Sequence, residues 1–402
     1  MGHILGAAGM LAPPLEVFSW PSVTPVMVVS ALAALACGSW RLRHAPRWLA
    51  AICVLLLLYG TASASWSLEP LGSLRLAGQL LGTFAAGLVV VDAARGMTAA
   101  EREVCDRGLA IGFLVGLALL AMMLVLTEAR FVDNLRRLPL LAPLVGPERR
   151  FVFPAGFDPA VTLIVLLAWP CSRFAWRRYG WLAAVALAAV AFAVVFESVS
   201  LTSVFAFALG IAVFIGARLA PRLATWAIGS AVIVWIVAAP FLLRPELLGG
   251  LPPDLPVREV KQNSLAHRLA IWNFTIDRID ERPLLGWGFD SSRWMPGGHD
   301  LLRKNAELLP LHPHDAALQL RLDLGIPGVA LGVLFALGLF RAIAAGWDDA
   351  GETALALAFT TGAVVYAGLS YNLWHVWWLT MLWLGAAFML AGSRAGPAGT
   401  RV

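Results

Sequence analysis

The sequence predicts an all-α membrane protein with one large extramembrane loop carrying amphipathic helices, on three observations. Hydrophobic residues make up 59% of the 402 positions and charged residues only 14%, with a mean hydropathy of +0.77, far outside the range of soluble domains. Apolar runs recur along the chain, each long enough to cross a hydrocarbon core of roughly 30 Å. Polar residues gather in a single stretch, 244–322. Lipid offers backbone groups no partners, so the spanning segments must satisfy their own, and helices do so where open sheets cannot.

Apolar runs lie at 22–38, 48–64, 74–91, 108–126, 159–169, 181–196, 201–215 and 225–243, and after the loop at 326–343, 354–369 and 377–391. Residues 1–18 lack a basic leader region and read as a short first span weakened by Pro13 and Pro14. Together these give about twelve crossings. The chain divides into N-terminal transmembrane helices (1–243), the loop (244–322), and C-terminal transmembrane helices with a short tail (323–402).

Arginine sets the orientation. Arg41, Arg43 and Arg47 share one short connection, Arg173, Arg177 and Arg178 another, and Arg218 and Arg222 a third. Alternating crossings place all three on one side, which the positive-inside rule assigns to the cytoplasm, along with both termini. The net charge of +5 is thus a topological signal and implies no nucleic-acid partner. Arg136, Arg137, Arg149 and Arg150 fall on the outer side against that rule. They suit either an anionic ligand or headgroup anchoring. The four cysteines match no zinc spacing, and no disulfide is expected.

Within the loop, Leu265, Leu269, Trp272, Ile276 and Ile279 recur at helical spacing, predicting an amphipathic helix stopped by Pro283 and followed by a tight turn at Gly286-Trp-Gly288. Arg268 shares a face with Trp272 and would project toward the membrane. There it either forks onto phosphate oxygens or pairs with Asp277 or Glu281. His312-Pro-His-Asp315 stands where the chain re-enters the membrane, with Asp315 as a helix cap. A histidine there has a near-neutral pKa suited to taking a proton from a hydroxyl. His299 and Asp300 with these histidines offer a weak metal alternative, and no metal or cofactor is expected. Glu197, Ser198, Ser200, Thr202 and Ser203 read as a capped turn, and Trp374, Trp377 and Trp378 as an interfacial aromatic belt.

His267-Arg-Leu-Ala-Ile-Trp272, Glu281-Arg-Pro-Leu-Leu-Gly-Trp-Gly288, and His312-Pro-His-Asp315 followed by Leu318-Gln319 and Gly325-Ile-Pro-Gly328 resemble, in order and spacing, the O-antigen ligase and polymerase superfamily. The resemblance implies a GT-C-like glycosyltransferase of the bacterial inner membrane with a large periplasmic loop. Such an enzyme moves a glycan from undecaprenyl pyrophosphate to an acceptor hydroxyl, on lipid A-core or another glycan, without metal. It implies His314 as the base toward the acceptor and Arg268 as the contact to the pyrophosphate. Arg149, Arg150, Trp272, Arg293, His312 and Asp315 are candidate substrate-binding residues. Two departures stand out. Asp315 replaces the asparagine usual after this histidine, which would alter its tautomer or raise its pKa. Phe157-Asp-Pro-Ala160 stands where relatives carry an arginine. A transporter or flippase with the loop as a gate is the alternative. It would call for charges inside the spans, which are nearly free of them.

Overall fold

The computed structural model describes residues 1–19, 21–38, 42–127, 157–198, 200–244, 247, 264–303, 306–346 and 348–393. Arg136, Arg137, Arg149 and Arg150 lie outside the described residues, as does most of the first part of the loop. The helices, in chain order, are α1 (Gly2–Phe18), α2 (Val23–Ala36), α3 (Arg47–Ser63), α4 (Pro70–Arg95), α5 (Ala99–Thr127), α6 (Asp158–Tyr179), α7 (Trp181–Glu197), α8 (Leu201–Leu219), α9 (Pro221–Leu242), α10 (Ser264–Glu281), α11 (Ala316–Ala344), α12 (Ala350–Leu369) and α13 (Val376–Ala391). A 3-10 turn covers Ser291–Trp294. Strands β1 (Leu301–Arg303) and β2 (Ala306–Glu307) pair antiparallel, a hairpin that hydropathy did not indicate.

Among the described residues seven helices, α4, α5, α6, α8, α9, α11 and α12, are long and apolar enough to cross a membrane, and α2, α3, α7 and α13 are shorter apolar helices. Every apolar run read from the sequence is a helix.

The chain forms two compact units. The first comprises Met1–His44, Val89–Leu209 and Thr380–Val402. Here Gly108, Gly112 and Gly116 make one stripe on α5, and α1 lies directly on it. A Cβ at Gly112 would sit 2.1 Å from the Gly9 carbonyl oxygen, and one at Gly108 2.3 Å from that of Gly6. Small residues permit this backbone approach between helices in lipid. As expected α1 is short, 17 residues, but the prolines do not end it: it runs unbroken through Pro13 and Pro14, supported along its length by α5. Beyond it, the Glu16 carboxylate accepts from Ser22 Oγ (2.8 Å) and Val23 N (2.9 Å), capping α2. At the other end of the unit, Arg173 is buried and donates to the carbonyls of Met389 (2.7 Å) and Phe388 (2.8 Å). Arg177 reaches Gly392 O and Arg102 reaches Ser393 O. Arg173 thus satisfies two of the last carbonyls of α13, and Arg177 and Arg102 those of the two residues after it, where the helix dipole favours cations.

The second unit comprises Ala45–Leu88 and Gly210–Leu379. Its central feature is a break in α11. Gly325 adopts φ 60°, ψ −147°, a conformation open essentially to glycine alone. Pro327 has no N–H to offer the Asp323 carbonyl. Residues 284–288 occupy the gap: Trp287 N donates to Leu322 O (2.9 Å), Gly288 N to Asp323 O (2.8 Å), and Ile326 N to Leu284 O (2.9 Å). Gly286 and Gly288, at φ 70° and 98°, make the turn that the sequence predicts. The next residue is held by α3 and by Ser73 near the start of α4. Phe289 N donates to Ser63 Oγ (3.0 Å), and Ser73 Oγ donates to Phe289 O (2.7 Å).

Candidate active site

The stripe on α10 is real but faces inward. Ile271, Trp272, Ile276 and Ile279 are buried in a cluster with Ala239, Leu243, Leu318 and Leu322. The sequence pattern points this face toward the bilayer; side chains of α9 and α11 cover it instead. Trp272 Nε1 donates to Pro313 O at 3.0 Å, so Trp272 braces the His312–Asp315 segment from within.

Arg268 is half-buried, and burial pulls its pKa below the usual arginine value. Among the described residues its guanidinium makes no hydrogen bond or ion pair. Of the two carboxylates that the sequence offered as its partner, Asp277 and Glu281, the second pairs with Arg278 at 2.8 Å. A guanidinium remains charged under all ordinary conditions, and among the described residues no carboxylate balances this one.

Asp315 caps α11 as expected. Its Oδ1 accepts from Leu318 N at 2.8 Å and its Oδ2 from Trp235 Nε1 at 3.1 Å. Burial raises its pKa to about 6. Both oxygens are directed at the helix and at Trp235, which is why Asp315 does not raise the pKa of the neighbouring histidine. That of His314 is lowered, first by burial, with the Arg268 and His267 charges adding to it against the Ser370 hydrogen bond.

His314 adopts a left-handed backbone, φ 55°, uncommon for a residue with a Cβ. Two bonds hold it there. Its N–H donates to His312 Nδ1 (3.1 Å), and its ring Nδ1 lies 3.0 Å from Ser370 O. A carbonyl only accepts, so Nδ1 carries the proton and Nε2 keeps its lone pair. The same reasoning makes His312 the opposite tautomer, with Nδ1 bare and Nε2 protonated. Arg293 Nη2 donates to His375 Nε2 at 3.2 Å, so the neutral His375 carries its proton on Nδ1. Ring centroids of His312 lie 4.2 Å from His314 and 5.9 Å from His375. Burial is the main cause of the lowered pKa values of His312 (about 2) and His375 (about 4), and the Arg293 charge contributes to both. Arg293 also pairs with Asp290 at 3.1 Å, which places it as a brace for this cluster.

The connection 370–375 is pinned to α11 by a polar network. Gln319 Nε2 donates to Asn372 Oδ1 (3.0 Å), Leu373 N to Gln319 Oε1 (2.8 Å), and Trp374 Nε1 to Asp323 Oδ2 (2.7 Å). Trp374 and Trp378 are buried. They are not the interfacial belt the sequence suggested, because Tyr366, Tyr371 and Phe289 pack over them. Sequence reasoning missed Ser370, Asn372 and His375. Gln319 and Asp323, one turn apart in an apolar run, were the available signal of a polar focus. His299, weighed as a ligand, pairs with Glu307 (2.9 Å). Among the described residues no group of three or more His, Cys, Asp or Glu is placed to hold a metal.

This cluster predicts acid sensitivity. A histidine with a depressed folded pKa is protonated first in the unfolded chain, so stability falls as pH drops below 6.5. The fall continues to about 4 for His375 and about 2 for His312, at up to about 1.4 kcal/mol per pH unit each. Asp315 opposes this between about 6 and 3.8, because its raised pKa favours proton uptake by the folded state. Burial raises the Asp290 pKa as well, which opposes the imidazoles in the same way as Asp315, so their contribution is read against a variant. His312→Asn, whose amide oxygen can still accept the His314 N–H, should lose less melting temperature than wild type between pH 7 and pH 5. An unchanged slope would contradict the neutral assignment of His312.

Residues 155–333 match the family model described as O-antigen ligase. That segment, a little under half of the chain, is similar to the O-antigen ligase family. It contains Arg268, Arg293, His312, His314 and Asp315. A Rickettsia conorii protein named "Putative polysaccharide ligase" is 31% identical over 188 residues, covering 46% of this chain and 44% of that protein. A Rickettsia prowazekii protein of the same description is 32% identical over 196 residues, covering 46% of each. The match thus spans a little under half the length of these relatives. His375 and the aromatic residues after it lie beyond the ligase-family segment.

Proposed function

We propose that this protein transfers a glycan from a polyprenyl-pyrophosphate-linked donor, undecaprenyl pyrophosphate in bacteria, to an acceptor hydroxyl on lipid A-core or another glycan, as a ligase or polymerase. The observation that carries the reading is the pairing of opposites in one neighbourhood: a neutral imidazole with its lone pair at Nε2, and a partly buried guanidinium with no counter-ion among the described residues. In the reaction His314 Nε2 takes the hydroxyl proton as the acceptor oxygen attacks the anomeric carbon. The bond from that carbon to the pyrophosphate oxygen breaks, and the oxygen leaves with the electron pair. Arg268 stabilises the charge developing there, a role for which a preorganised, partly desolvated cation is suited. Direct displacement inverts the anomeric centre, and no metal or cofactor enters. His312, Asp315 and Trp272 position His314, and Arg293 positions His375. Arg149 and Arg150 supply further charge to the pyrophosphate.

This reading carries a topology: about twelve crossings, residues 244–322 in the periplasm, both termini in the cytoplasm, and the body of the protein in the inner membrane. Arg268→Ala, produced at the wild-type membrane level in a deletion strain, should reduce surface glycan by at least tenfold, the loss of one charge-assisted contact of about 1.5–3 kcal/mol. Arg268→Lys should recover only part of it, since an ammonium cannot fork. Carrier-linked full-length polymer in the deletion strain indicates a ligase, and single repeat units a polymerase. Wild-type glycan from Arg268→Ala would remove the mechanism.

A further inference from the structure

Resting on the transfer reading above, we propose that Tyr371 and Trp377, with His375 beside them, form a stacking wall for the pyranose ring that carries the acceptor hydroxyl. The wall begins one residue after Ser370, whose carbonyl holds the His314 ring at 3.0 Å. A sugar seated on it has its hydroxyls beside the base. Tyr371 and Trp377 meet edge-to-face with centroids 4.7 Å apart, and Trp377 and His375 lie 33° from parallel at 5.9 Å. Tyr366, fully buried, stacks on Tyr371 at 5.7 Å and 15° and backs the wall from within. Tyr371, His375 and Trp377 each keep part of their surface open. The polar network from Gln319 to Asn372 fixes the connection that presents them. Two ligands need two surfaces. Arg268 comes from α10 and answers the anionic donor, whereas this wall comes from the connection between α12 and α13, where the neighbouring cation, Arg293, is held by Asp290 and His375. Flat aromatic faces match the apolar C–H face of a pyranose.

The test is direct binding without donor. Purified full-length protein in lipid nanodiscs is incubated with methyl glycosides of glucose, galactose, mannose and N-acetylglucosamine, and saturation-transfer NMR reads contact with the sugar ring protons. Wild type should saturate ring protons of at least one glycoside. Trp377→Leu should weaken that binding about tenfold, Trp377→Phe by much less, and Arg268→Ala not at all. With an acceptor bearing that sugar, Trp377→Leu should raise the acceptor KM and leave the donor KM unchanged. No saturation of any glycoside would overturn the inference, as would equal binding by the Leu and wild-type proteins. Arg268→Ala transferring glycan normally would instead count against the transfer mechanism, leaving the wall to stand on the binding result.

Discussion

His314→Asn is expected to lower glycan transfer by about 10²–10⁴-fold, the usual contribution of a positioned general base, while the protein remains folded at its normal membrane level. Asparagine is chosen because it tolerates the left-handed backbone found at this position, φ 55°. Its amide nitrogen can also take the place of Nδ1 and donate to Ser370 O, the bond that orients the native ring. What it removes is the lone pair at Nε2. The comparison therefore separates base chemistry from the backbone strain and hydrogen bonding that an alanine would disturb as well. Transfer should be measured with membrane-reconstituted protein across pH 5–8. Wild-type activity should persist below pH 6.5, because the lowered pKa of His314 keeps the base neutral there. A His314→Asn rate within threefold of wild type would mean that another group accepts the proton.

Gly325→Ala is expected to abolish both the folded site and its activity, with a loss of at least about 3 kcal/mol from backbone strain and collision together. An alanine Cβ would sit 2.2 Å from Leu284 O and 2.7 Å from Gly286 N. Both atoms belong to the segment whose backbone bonds fill the break in α11, so neither can retreat without losing Trp287 N to Leu322 O and Ile326 N to Leu284 O. That segment leads to Asp290 and Arg293, and so to His375. The damage should therefore reach the imidazole cluster. Gly78, where an added Cβ would meet nothing within 4 Å, is the control: Gly78→Ala should fold and transfer normally. Equal melting temperatures for Gly325→Ala and wild type would show that the break does not hold the site together.

Much of this architecture is visible in local sequence pattern. Apolar runs mark the helices because crossing lipid imposes length and composition on each segment independently. The stripe on α10, the Asp315 cap and the glycine turn at 286–288 are likewise local. The direction the stripe faces is not. Periodicity reports that Trp272 and Ile276 share a side, but only the packing of α9 and α11 against them decides between protein and bilayer. The same limit explains Trp374 and Trp378, which composition assigns to an interface and Tyr366, Tyr371 and Phe289 enclose. His314 was recognisable by type and position. Its tautomer depends on Ser370, 56 residues away, and no local signal connects them. That Arg268 has no ion pair among the described residues is a tertiary fact too, since Glu281, one of its two expected partners, pairs with Arg278 instead.

The most direct test of the account supplies purified protein in nanodiscs, with EDTA present, with an undecaprenyl-pyrophosphate-linked glycan and a lipid A-core or glycan acceptor. The predicted result is a new glycosidic bond of inverted anomeric configuration and one equivalent of free undecaprenyl pyrophosphate per bond formed. Movement of the lipid-linked glycan across the bilayer with no glycosidic product and no pyrophosphate released would contradict it.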